Sequence, residues 1–106
     1  MPEVPVIIHR RALEKWAWEE KSPQKLAEIQ GALKRIADVI ETTPPDQLVQ
    51  VEESPDTGFA SLPQQVGPDN SARLFGMKAQ WCLSIAREVL EEAGIPVVLD
   101  QSGAVG

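Results

Sequence analysis

From Pro23 to Thr42 the apolar residues recur with the period of an α-helix. Leu26, Ile29, Leu33, Ile36 and Ile40 alternate spacings of about three and four residues, the a/d pattern of roughly two heptads. Ala32, Ala37 and Val39 flank this seam, while Gln30, Lys34, Arg35, Asp38 and Glu41 fall largely outside it. Ser22 is a good N-cap and Pro23 suits the first helical position, so a helix is expected over 23–42, stopping before Pro44-Pro45. Two heptads are short for a free-standing coiled coil, and the seam is expected to pack within the chain.

Two further helices follow from the same reasoning. Leu13, Trp16 and Ala17 share a face, which predicts a helix over 10–21. Trp18 stands about 140° from Leu13 on that helix, off the apolar stripe, where it either covers a neighbouring segment or faces a partner. Downstream, Pro68-Asp69-Asn70-Ser71 offers several N-caps. Beyond it Phe75, Ala79, Cys82, Ile85, Ala86, Val89 and Ala93 fall on one stripe, widened by Leu74, Trp81, Leu83 and Leu90. This predicts a central helix over 70–93 closed by Gly94 at C′, with Met77 off its stripe. Extended pieces are expected near 5–8, 48–52 and 96–99, and residues 101–106 are expected to fray. The fold expectation is mainly α, a single-domain three-helix packing with short extended segments. The alternative is α+β, with those segments paired into a small sheet.

At 106 residues, 42% of them hydrophobic and 25% charged, the chain fits one domain over 1–106. No apolar run reaches the roughly 18 residues of a membrane span, which predicts no membrane partner. The first residues show no basic leader or small-residue cleavage site, so no signal peptide is expected. A single cysteine, Cys82, rules out an intramolecular disulfide framework and fits a cytoplasmic protein.

Charge changes the picture more than composition does. Residues 1–43 balance seven basic against seven acidic side chains, while residues 44–72 carry five acids and no Lys or Arg. That acidic, proline-rich segment therefore holds nearly all of the formal net charge of −6. With a pI near 4.7, general binding to nucleic acid is disfavoured. Within the segment Leu48–Glu52 alternates as a short strand, Pro55-Asp56-Thr57-Gly58 reads as a turn, and Phe59, Leu62 and Val66 are expected to pin an ordered loop onto the body.

Candidate chemistry is sparse. Cys82 on an apolar helix face reads as structural. His9 is the only histidine, and no nucleophile or orienting acid is identifiable beside it. Glu19-Glu20 and Glu91-Glu92 point about 100° apart on their helices, and Glu52-Glu53 belongs to no metal motif. The sequence thus predicts a non-enzymatic protein with no catalytic, cofactor or metal residues. The leading expectation is a protein–protein interaction module, an adaptor, inhibitor or assembly factor that self-associates and meets a basic partner surface. Its contact residues would be Trp18, Glu52, Glu53, Asp56, Phe59, Leu62 and Met77. The alternative is a small-molecule or nucleotide-binding regulator, with residues 44–72 closing over an anion held by His9, Arg10, Arg11 and Arg73.

Overall fold

The computed structural model describes residues 2–78 and 80–106. Strand β1 (Glu3–Ile8) is followed by helices α1 (Arg10–Glu19) and α2 (Pro23–Thr42), then by a short 3₁₀ turn over Pro45–Gln47 and strand β2 (Val49–Val51). Two one-turn helices, α3 (Pro55–Gly58) and α4 (Leu62–Val66), lead to strand β3 (Ser71–Met77), helix α5 (Cys82–Glu92) and strand β4 (Val97–Val105). Helix α2 keeps the bounds its sequence predicts because its start is chemically fixed. Pro23 occupies the first turn and the Ser22 hydroxyl accepts from Lys25 N, satisfying one of the helix's unpaired N–H groups.

The four strands form one sheet in the order β2-β1-β3-β4, and every neighbouring pair is parallel. The mainly α expectation is therefore wrong, and the helices alternate with a parallel sheet in an α/β fold. The alternative, helices with the extended pieces paired into a small sheet, fits. Parallel pairing forces each connection to travel the length of the sheet, which is why helices fill the crossovers. The chain runs outward from β1 to β2, crosses back past β1 to β3, and continues to β4. Crossovers of opposite direction place their helices on opposite faces. Accordingly α1 and α2 cover one face through Leu13, Ile29, Ala32, Ile36 and Val39 against Ile7, Phe75 and Val105. The other face packs Val4, Val6, Ile8, Ala72 and Leu74 against Phe59, Leu62, Leu83, Ala86 and Leu90.

The long helix predicted over 70–93 divides into β3, a turn and α5. Residues 71–77 pair along β1 from Glu3↔Ser71 to Ile8↔Gly76 and along β4 from Ala72↔Val97. A central strand covered on both faces loses its alternation and carries adjacent apolar residues such as Leu74-Phe75, which a helical template also accepts. Gly76 decides the matter. Its φ is 114°, and a Cβ there would run into the Ile8 carbonyl oxygen. Helix α5 buries Leu83, Ala86 and Leu90, a face rotated from the predicted stripe. Ile85 is exposed, Cys82 is the first helical residue, and Ala79 lies outside the described residues.

Residues 101–106 do not fray. Strand β4 continues to Val105, which is fully buried, after an irregularity between Leu99 and Ala104. Asp100 turns inward at this bulge and is 4% exposed. Its Oδ2 accepts from Arg35 Nη2 at 3.2 Å and Arg73 Nη1 at 3.3 Å. Its Oδ1 accepts from Ser102 N at 3.1 Å and Oγ at 2.8 Å. Burial alone would push this carboxyl up. The hydrogen bonds from Arg35 and Ser102 and the two guanidinium charges outweigh it and hold the group below its ordinary value. One carboxylate thus ties α2, β3 and β4 together.

Candidate functional site

Because all four strands run the same way, their carboxyl ends share one edge, bringing together His9, Glu52, Lys78 and Gly106. Open parallel sheets bind ligands beyond this edge, near the point where the strand order reverses. Here that point lies between β1 and β3. The two sides of the edge are built differently.

On the β1 side the chain pairs His9 and the start of α1 with its own acidic segment. His9 adopts a left-handed φ of 57° at the start of α1, and its backbone N–H donates to Val51 O at 2.8 Å. Its Nε2 lies 2.7 Å from the Glu53 carbonyl oxygen. A carbonyl only accepts, so this nitrogen carries the proton. The Arg11 N–H donates to Glu52 Oε1 at 3.2 Å, which sets the protein's own carboxylate against the positive end of the α1 dipole. Arg10 Nε lies 3.5 Å from Glu14. The predicted grouping of His9, Arg10, Arg11 and Arg73 does not assemble. Arg73 pairs in register with Pro5, three residues short of Ile8, and donates to Glu3 at 3.0 Å and to Asp100.

On the β3 side the edge is open. The turn after β3 is tied to α5 by the Lys78 carbonyl, which accepts from Trp81 N at 3.0 Å and Leu83 N at 3.1 Å. This holds Lys78 so that its Nζ lies 5.3 Å from the Trp16 ring centroid and 5.8 Å from that of Trp81, distances at which a cation and an indole attract. Among the described residues Lys78 makes no ion pair. Trp16 is anchored from behind, since its Nε1 donates to Glu20 Oε1 at 3.0 Å. The Ser22 N–H, then the Trp16 indole and the Lys21 N–H, hold the Glu20 carboxyl below its usual range. Lys25 Nζ also stands 5.3 Å from the Trp16 ring.

Two hollows meet at this point. One of about 390 Å³ is lined by Trp16, Lys78, Gln80, Trp81 and Gly106. The other, about 220 Å³, is lined by Ala12, Lys15, Trp16, Glu19, Met77 and Lys78. Trp16 and Lys78 belong to both. The arrangement offers flat apolar walls, an amide and a cation, which suits holding an organic anion. Among the described residues no group of three His, Cys, Asp or Glu side chains gathers as for a metal.

The structure scatters the predicted contact residues. Phe59 and Leu62 are 1% and 0% exposed; with Val66 they fasten the acidic segment as expected, and this burial leaves neither any surface for a partner. Glu52, Glu53 and Asp56 are exposed, Glu52 capping α1. Met77 is half-buried against the α1–α2 core and lines the smaller hollow. Trp18 is 91% exposed and stands apart, over a hollow of about 460 Å³ with Glu14, Ala17, Gln30 and Leu33. Trp81, which widens the predicted apolar stripe, is 70% exposed. Lys78 and Gln80 were not singled out by the sequence. Gly76 was the available signal: reading it as the end of a central strand places Lys78, Gln80 and Trp81 between strand and helix, at the edge where such sheets bind ligands.

Comparison of the chain with protein-family models, curated proteins and solved structures finds no match. The functional reading therefore rests on the site's own geometry.

Proposed function

We propose that this protein is a ligand-binding module that takes a small organic anion at the carboxyl edge of its sheet. The observation supporting this most directly is Lys78, without a carboxylate partner among the described residues and set between Trp16 and Trp81 in a hollow of about 390 Å³. A lysine beside low-dielectric walls attracts an anion more strongly than one in open water. A net charge of −6 disfavours long polyanions, so the ligand carries little charge. The apolar anchors of the acidic segment already lie in the core, which argues against that segment as a closing loop. Thermal-shift and calorimetric titration with small phosphates and carboxylates tests the reading. An anion that raises the melting temperature of the wild type and not of Lys78→Met supports it. Equal shifts in both proteins, or none in either, refute it.

A second reading keeps the interaction module, and Trp18 favours it. An indole 91% exposed beside Ala17 and Leu33 is the kind of residue that anchors protein interfaces. This reading places self-association on the α1–α2 face. Light scattering behind size exclusion checks it: a dimer that Trp18→Ala converts to monomer supports the reading, and a wild-type monomer at high protein concentration removes it.

A further inference from the structure

We infer that the ligand is a mononucleotide, with its base against Trp81 and Trp16 and its phosphate between Lys78 and Lys15. This rests on the anion-binding reading and narrows it from charge to shape.

The two hollows differ in chemistry. The larger presents Trp16, Trp81 and the Gln80 amide. Indole faces stack on any flat ring, and stacking by a base is favourable whatever its identity. Trp81 is 70% exposed, an apolar surface held at a functional edge with nothing among the described residues laid over most of it. The amide supplies one donor group and one acceptor, the pair that reads a base edge such as that of adenine. The smaller hollow presents two ammonium groups, Lys15 and Lys78. Lys15 reaches Glu19 at 3.8 Å with both side chains well exposed, a weak pair that an incoming phosphate displaces readily. Lys78 lines both hollows, so a ring in one and a phosphate in the other belong to a single molecule with a short spacer between them.

Charge limits the phosphate to one. Glu19 lines the same hollow, Glu20 and Glu28 stand behind Trp16 and Lys25, and the chain as a whole is acidic. Each further phosphate would meet that repulsion, and the remaining cation beside Trp16, Lys25, is already paired with Glu28 at 3.3 Å. The same balance disfavours a nucleic-acid strand, whose affinity grows with the number of lysines and arginines it meets.

Calorimetric titration of the full chain with adenosine 5′-monophosphate, ribose 5-phosphate and adenosine tests the inference. The monophosphate is expected to bind at least about tenfold more tightly than either fragment, from the size of one stacking contact and one charged contact. Trp81→Ala, which removes an exposed side chain and leaves the core intact, should weaken the monophosphate about tenfold and leave ribose 5-phosphate unchanged. Lys78→Met should weaken both phosphates and leave adenosine unchanged. Trp16→Phe keeps a flat ring where Trp16→Ala would disturb packing, and should retain most of the affinity. Ribose 5-phosphate binding as tightly as the nucleotide, still through Lys78, overturns the nucleotide assignment and leaves the anion reading standing. Failure of both phosphates to bind overturns the two together.

Discussion

Replacing Asp100 with Asn tests whether one buried carboxylate joins the sheet to its longest helix. The substitution keeps the shape of the side chain and removes its charge. Two guanidinium groups then lose the carboxylate charge they share, at 3.2 Å from Arg35 and 3.3 Å from Arg73, and either they or the Ser102 donors face an NH2 group, because an amide keeps only one acceptor oxygen. Breaking a fully buried ion pair costs about 3–5 kcal/mol. Neither arginine is fully buried, since their side chains are 43% and 32% exposed and regain water when the carboxylate goes. Discounting for that screening leaves about 2 kcal/mol, which for a chain of this size is a fall in melting temperature of about 8 °C.

Urea unfolding measures the loss, and its pH dependence identifies the cause. The Asp100 carboxyl is held below its ordinary 3.8, so its contribution is complete above that value and disappears as pH falls through the lower, folded-state value. Asn does not titrate. The gap between wild type and Asp100→Asn should stay flat from about pH 5 to pH 8 and close on acidification below the ordinary carboxylate range. Equal urea midpoints near neutrality would refute the reasoning. A gap that widens as pH falls would refute it in a second way, since it would mean that the carboxyl is protonated more easily in the folded protein.

Gly76→Ala places a Cβ against the Ile8 carbonyl oxygen at a φ of 114°, and the loss of stability should be about 3 kcal/mol or more; wild-type unfolding in urea would contradict the assignment of this residue to a crowded central strand. Phe59→Ala empties a side chain only 1% exposed and should cost about 3–5 kcal/mol, read as a lower melting temperature. A smaller loss would mean that the acidic segment is held by something other than its apolar anchors. Glu52→Gln removes the charge at the start of α1 and should cost about 0.3–1 kcal/mol, an effect that added salt reduces.

The sequence discloses helices where a local signal and the packing agree. Ser22-Pro23 starts α2, and Gly94 closes α5 with a φ of 81° while Gly94 N donates to Glu91 O and Ile95 N to Leu90 O, each at 3.0 Å. The seam of α2 is equally legible, although it packs on the sheet as well as on α1, so that Ile29, Ala32, Ile36 and Val39 are the buried set. Strand β3 is hidden for a physical reason. Its neighbours β1 and β4 are distant in sequence, and its burial on both faces erases the alternation by which a strand is recognised. Strand β4 is hidden because its second half is held by Phe75 packing over Gly103 and by the Asp100 clamp. Each contact needs a residue outside Gln101–Gly106, Phe75 for one and Asp100 for the other.

The position of the open crevice follows from where the chain's own backbone donors and His9 are taken up by the acidic segment. By sequence, His9-Arg10-Arg11 is the densest basic group near a helix start and the natural place for an anion. The parallel order sets β2 beside β1, which carries Glu52 and Glu53 to that same helix start, where one caps the Arg11 N–H and the other offers its carbonyl to His9. The acidic segment thus closes the β1 side of the edge from within. β3 has β4 as its other neighbour, and β4 brings only Gly106 to the edge. No carboxylate among the described residues reaches Lys78, and its attraction is answered by two indoles. A cation balanced by ring quadrupoles keeps its charge available to an incoming anion, whereas one balanced by a carboxylate does not. Strand order, more than the count of basic residues, therefore decides which side of this edge is free to bind.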